Sequence, residues 1–254
     1  MRSEGTGTIV RVVKLLRCLA ESSSDISITE LSKQLGLAPS TVHRILQLLL
    51  DEGIVAKSDA RSLYRPGAEL VRISALISSK TQIGDLAKPA MEKLAGVAQE
   101  ACLLTQLLPH EFKVMVIAAI ASPHPLRYDI EMFQRSSLLN GATGRTILAF
   151  LPQDQITQAL DRAEQDGDEP EFDRVALQRD LEEIKARGYT ITHGQKVPGA
   201  VGIGAPVFNG NGRVVAALSL TMPEQRFDTA RAEELADLVR DRAGEISVLL
   251  GHEG

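Results

Sequence analysis

From Thr8 the chain repeats apolar residues at helical spacing, with Ile9, Val12, Val13, Leu15, Leu16 and Leu19 on one side and Arg11, Lys14 and Arg17 on the other. This predicts a first helix, interrupted by the polar run Ser22–Asp25. Ser27 then opens ITELSKQLG, where Ile28, Leu31 and Leu35 share a face and Glu30 stands three residues after Ser27, the spacing of a reciprocal capping box. Gly36 supplies the helix stop. Pro39 suits the first turn of the next helix, which runs to Gly53 with Val42, Ile45, Leu46 and Leu49 as its buried stripe. Its other side presents Ser40, Thr41, His43, Arg44 and Gln47, all able to hydrogen-bond and none acidic. Two short helices separated by Leu37 and Ala38, the second with such a face, meet the requirements of a helix-turn-helix whose second helix enters the major groove. After Gly53, Ile54–Ala56 and Leu63–Arg65 flank the polar turn Lys57–Ser62, a hairpin that reads as a wing, with Lys57, Arg61 and Arg65 within reach of phosphates. A three-helix cluster with a hairpin can also serve as a docking module. The acid-free helix face and the basic hairpin favour DNA.

Leu70, Ile73, Leu76 and Ile77 extend a helical stripe, and Ile83, Leu86, Met91, Leu94 and Val97 begin another, so a connector helix leads into a second domain with the boundary near Thr81 to Asp85. An apolar connector suits a dimer that must hold two heads about 34 Å apart, or a multiple of it, on two half-sites. Beyond it, ACLLTQLL and FKVMVIAAIA form a hairpin around Pro109-His110-Glu111, and Pro123 to Phe133 reads as a further strand. RTILAFL, QITQAL and FDRVALQRDLEEIKARG read as helices. Strands are expected at Tyr189 to Thr192, Val201 to Phe208 and Arg213 to Thr221, the last two joined by a turn at Asn209–Gly212, and a helix closes the chain from about Thr229 to Leu250. The sum is an α+β chain in three parts: a winged helix-turn-helix over 1–68, a connector over 69–84, and an effector-binding and oligomerisation domain over 85–254.

Charge divides the same way. Residues 1–66 hold nine Lys/Arg against seven Asp/Glu, whereas the rest holds 19 against 26, so a slightly basic head sits on an acidic body although the whole chain carries −5. Hydrophobic residues at 44% and charged residues at 24% exclude a disordered chain, and no run of about 18 apolar residues or secretory leader is visible, so a cytoplasmic protein is expected. Cys18 and Cys102 both lie in apolar periodic stretches and read as buried thiols, which excludes a disulfide framework. An enzyme finds little support. There is no Gly-x-Ser-x-Gly elbow, no phosphate-cradling loop, and no metal-ligand spacing among His43, His110, His124, His193 and His252; no cofactor is expected. Gly202-x-Gly204 lies inside a strand with no helix after it, so it is no dinucleotide fingerprint.

The stretches Ile28–Leu37 and Pro39–Leu46 and the wing ending Tyr64-Arg65-Pro66-Gly67 resemble the IclR family of bacterial transcriptional regulators. The likeness continues through Leu138–Arg145 and Ile147–Ala149, Arg187-Gly188-Tyr189, Gly199–Val207 and Val215–Leu220, nearly the whole chain. It implies a GAF- or PAS-like C-terminal sensor that binds a small organic effector and forms dimers or tetramers. Three departures stand out. The second helix lacks the family's usual lysine and has its proline shifted to position 39, acidic residues are missing at Gly194 and Gln195, and Gly202 stands where a cysteine is common, so a roomier and less charged pocket is expected. Asn140, Gly141, Ala142, Thr143 and Gly144 at a helix start offer backbone N–H groups to a carboxylate. Ser219 and Thr221 share a sheet face, Gly202 and Ile203 come from the neighbouring strand, and Met115, Met132 and Phe133 are expected as an apolar wall. The expected function is that of a regulator, taken as a repressor, whose affinity for operator DNA responds to a carboxylate or aromatic metabolite. A stand-alone metabolite sensor or a docking module is the alternative.

Overall fold

Helices α1 (Thr8–Glu21), α2 (Ile28–Leu35) and α3 (Pro39–Asp51) bury Leu15, Leu19, Leu31, Val42, Ile45 and Leu46 in one cluster, which the hairpin β1 (Val55–Lys57) and β2 (Tyr64–Pro66) closes with Val55 and Tyr64. The computed structural model describes residues 7–22, 24–58, 62–78, 82–166 and 172–253. The capping box at α2 is formed in both directions: Glu30 N donates to Ser27 Oγ at 3.2 Å and Ser27 N to Glu30 Oε2 at 2.9 Å. Ile26 and Tyr64 exchange backbone hydrogen bonds at 2.9 and 2.8 Å, a bridge that pins the hairpin to the α1–α2 link. The apolar stripe of α1 is only partly used, because Ile9 and Val13 are exposed while Leu15 and Leu19 are buried.

Where β2 passes the end of α3, the backbones come too close for a side chain. A Cβ on Gly67 would lie 2.2 Å from the carbonyl oxygen of Gly53, and Gly67 N donates to Ile54 O at 2.8 Å. Gly67→Ala must therefore push the hairpin off α3. We expect about 1–3 kcal/mol of destabilisation, measured by thermal unfolding of the variant.

Helix α4 (Ala68–Ser78) follows. The chain divides at this point into two units, Met1–Thr81 and Gln82–Gly254, and the second opens with α5 (Gln82–Ala98). Strands β3 (Ala101–Leu108), β4 (Lys113–Ile120) and β5 (Arg135–Ser137) are succeeded by α6 (Gly141–Ala149), α7 (Gln153–Asp166) and α8 (Arg174–Arg187). Then come β6 (Thr190–His193), β7 (Ala200–Phe208), β8 (Val214–Pro223), single 3-10 turns at Glu224–Arg226 and Thr229–Arg231, and α9 (Ala232–Leu249). The strands form one antiparallel sheet in the order β5-β4-β3-β8-β7-β6. Because side chains alternate along a strand, the sheet has two differently covered faces. Cys102, Leu104, Ile203, Leu218 and Leu220 join the core that contains α5 and α9, while Val114, Val214 and Ala217 join the core of α6, α7 and α8. Burial pushes the Cys102 thiol up to about 12, which leaves it an apolar packing group.

The strand expected from Pro123 to Phe133 is absent. Pro123 and Pro125 have no backbone N–H to give a ladder, and Phe133 takes a left-handed φ of 63° while its N–H donates to Val116 O at 2.9 Å. Pairing resumes only at β5, where Lys113, Val114 and Met115 meet Ser137, Ser136 and Arg135. The intervening segment is irregular, and its residues Tyr128 to Glu131 line a cavity.

Candidate functional site

In the first unit, α3 separates its residues cleanly. Val42, Ile45 and Leu46 are buried, whereas Ser40, His43, Arg44 and Gln47 are exposed and Thr41 is half-buried. Gln47 Nε2 donates to Asp51 Oδ1 at 3.3 Å, and Arg44 forms no ion pair or hydrogen bond among the described residues, so its guanidinium fork is available to an acceptor pair. Lys57 and Arg65 are both exposed. Register places them on opposite faces of the hairpin, Lys57 opposite Tyr64 and Arg65 opposite Ala56. Arg61 lies outside the described residues. A convex helix face of donors, backed by a complete core and flanked by a basic hairpin, is shaped to enter a groove and to hold phosphates beside it.

The second unit holds a cavity of about 340 Å³ between the sheet and the start of α6, a size within the range of small-ligand sites. Thr105, Ser219 and Thr221 form its floor with Leu103 on the central strands β3 and β8, and Gly202 comes from β7. Gly141, Ala142 and Thr143 bring the first turn of α6 to it. The N-cap Asn140 makes no side-chain cap hydrogen bond to that turn, whose first N–H groups have no acceptor within the helix. Arg145, one turn further along α6, ties the helix start down: its guanidinium pairs with Asp180 on α8 and its Nε donates to Leu139 O at 3.0 Å.

Several expected pocket residues sit elsewhere. Ile203 is fully buried in the opposite core, because it alternates with the pocket-facing Gly202. Met115 precedes the pocket-lining Val116 and points to the other face for the same reason. Met132 and Phe133 fall between the lining residues Glu131 and Gln134 without lining the cavity themselves, and Phe133 is exposed, so the wall is built instead from Val116, Tyr128 and Ile130. Asn140 lines a separate small hollow with Arg145 and Phe172. Gly144 serves close approach, since a Cβ there would lie 2.6 Å from the Ser137 carbonyl oxygen. Gly202 does not enlarge the site either. A Cβ there would meet the Ala142 Cβ at 3.0 Å, so the glycine lets α6 settle onto the sheet.

Nor is the pocket poor in charge, because Asp129, Glu131, Arg135 and Lys196 all line it. Arg135 is engaged with Glu111 at 2.8 Å. Lys196 starts at the surface, and its stem carries the ammonium inward to donate to Ser136 Oγ at 3.1 Å. Desolvation holds its pKa below the usual lysine range, and Glu131 opposes that shift. Sequence reading passed over Lys196, noting only the acids missing at positions 194 and 195; nothing local marks it, since its partner is 60 residues away. Behind the wall, Glu100, only 5% exposed, takes Arg226 Nε and Nη2 at 2.6 and 2.7 Å, and Arg226 Nη1 donates to Leu126 O at 2.7 Å. That contact holds the loop leading into Tyr128 and Ile130. Among the described residues no cluster of three metal-ligating side chains occurs, and no helix is long and apolar enough to cross a membrane.

Comparison with known proteins identifies both units of the chain. The chain matches the family models for the IclR helix-turn-helix domain over residues 8–59 and for the bacterial transcriptional regulator IclR C-terminal domain over residues 75–248. It is 28% identical over 247 residues to the HTH-type transcriptional regulator KipR of Bacillus subtilis, covering 96% of this chain and 97% of that one. It is 24% identical over 246 residues to the transcriptional repressor IclR of Escherichia coli, covering 96% and 90%. Its fold overlays that of an IclR homologue from Microbacterium hydrocarbonoxydans, solved with 4-hydroxybenzoate, with a TM-score of 0.78 at 21% identity over 96% of this chain and 99% of the other. The first two of these are transcriptional regulators. With a helix-turn-helix in one unit and a ligand-sized cavity in the other, each matched by its family model, the chain belongs to the IclR family of bacterial transcriptional regulators.

Proposed function

We propose that this regulator represses transcription by binding operator DNA through α3, and that a small organic effector in the cavity of the second unit changes its operator affinity. The observation that carries the reading is the exposed, acid-free row Ser40, His43, Arg44 and Gln47 over a fully packed stripe. Arg44, Thr41 and Gln47 read base edges, Ser40 and His43 touch bases or phosphates, and Lys57, Arg61 and Arg65 grip the backbone. Residues 1–68 act as the DNA-binding domain, 69–84 as the connector, and 85–254 as the effector-binding and oligomerisation domain of a homodimer or homotetramer in the cytoplasm. Repression is supported by the name of the E. coli relative, and an aromatic or small carboxylate effector by the 4-hydroxybenzoate complex and by the uncapped first turn of α6.

The test is fluorescence anisotropy on the intergenic DNA upstream of the gene, with and without candidate acids. An effector should change operator affinity by about 5- to 150-fold, a coupling of roughly 1–3 kcal/mol. A ligand that raises the melting temperature yet leaves operator affinity unchanged would remove the switch, and melting shifts without any DNA complex would favour a stand-alone sensor.

A further inference from the structure

The floor of the cavity carries an unusual feature. Thr105 and Ser219 are each 1% exposed, both line the cavity, and neither hydroxyl has a hydrogen-bond partner. A buried hydroxyl without a partner is unfavourable, and native proteins leave few of them. The roof is equally specific. Lys196 stands on the β6–β7 connection at one edge of the sheet, and Ser136 belongs to β5 at the opposite edge, so their hydrogen bond straps the sheet's two ends together over the cavity. The strap lies directly on α6, because a Cβ on Gly141 would be 3.1 Å from the Lys196 Cβ. Its ammonium has only the neutral Ser136 hydroxyl as a hydrogen-bond partner, and among the described residues no carboxylate closes an ion pair on it.

Resting on the effector reading above, we infer that Lys196 is the specificity-determining residue of the cavity, receiving the acid group of the effector while Thr105 and Ser219 meet a second oxygen of it. The arrangement offers donors from above, from the first turn of α6 and from below, which calls for a ligand rich in acceptors. A carboxylate would give the ammonium a charged partner in direct contact, where it now has only the Ser136 hydroxyl; desolvation lowers the Lys196 pKa and Glu131 offsets that in part. Asp129 and Glu131 also line the cavity, so an organic amine is the rival occupant.

The experiment measures binding of lactate, lactamide, 4-hydroxybenzoate, 4-hydroxybenzamide, benzoate and tyramine to the full chain by titration calorimetry, with operator affinity recorded for each. At least one hydroxy acid should bind tenfold or more tighter than its amide. Lys196→Met should erase that ratio and Lys196→Arg restore it. Thr105→Val with Ser219→Ala should lower the preference for 4-hydroxybenzoate over benzoate while keeping that for acid over amide. Equal binding of acid and amide, tightest binding of tyramine, or an acid preference that survives Lys196→Met would overturn the inference while leaving the effector reading intact if operator affinity still responds. If no acid binds, or if bound acids leave the operator complex unchanged, the effector reading fails and this inference with it.

Discussion

Arg226→Met should be among the most damaging single substitutions in the second unit, costing about 3–5 kcal/mol. The Glu100 carboxylate, whose side chain is 7% exposed, would lose both charge-assisted hydrogen bonds and keep only a long contact with Ser122 Oγ at 3.4 Å. Removing one member of a buried pair strands the other, whereas replacing both by apolar groups is often tolerated. Urea unfolding of the single variant should therefore shift strongly, and Glu100→Leu combined with Arg226→Met should recover most of the loss. Equal losses in the single and double variants would show that the pair is not the source. Because Arg226 also holds Leu126 O, the single variant should loosen the wall formed by Tyr128 and Ile130 and weaken any ligand in the cavity.

Arg44→Ala should weaken operator binding by about 1–3 kcal/mol, roughly 5- to 150-fold, and relax the sequence requirement at one position of each half-site. The reason is geometric. Arg44 is exposed on a helix held by Val42, Ile45 and Leu46, and a guanidinium presented that way can make two parallel hydrogen bonds to a guanine edge. Lys57→Ala is the control, since a phosphate contact should weaken operator and random DNA alike and flatten the salt dependence by about one unit of slope. Measured by anisotropy across a salt series, equal losses on both DNAs for Arg44→Ala would contradict its role in reading bases.

How much was legible beforehand varied with the range of the interactions. The head is built from contacts close in sequence: the capping box between Ser27 and Glu30, the stop at Gly36, Pro39 at the helix start, and the stripe from Val42 to Leu46 all show as spacing. The cavity was legible only in part. Gly141, Ala142, Thr143, Gly202, Ser219 and Thr221 were expected there and do line it, because a helix start and strand alternation are local signals. Met115 and Ile203 were misplaced by one residue of strand parity, and Met132 by reading a proline-containing wall as a strand.

The amino-acid order by itself therefore determined the division into a helical head and a mixed α+β body, the face that α3 presents, and the family to which the chain belongs. Tertiary structure alone decided the chemistry of the cavity, which depends on groups far apart in the chain. Lys196 meets Ser136 across the whole width of the sheet, Glu100 meets Arg226 across 126 residues, and Thr105 and Ser219 become neighbours on one floor only through the pairing of β3 with β8. Periodicity reports which side of an element is buried, but it carries no information about which distant side chain arrives on that side.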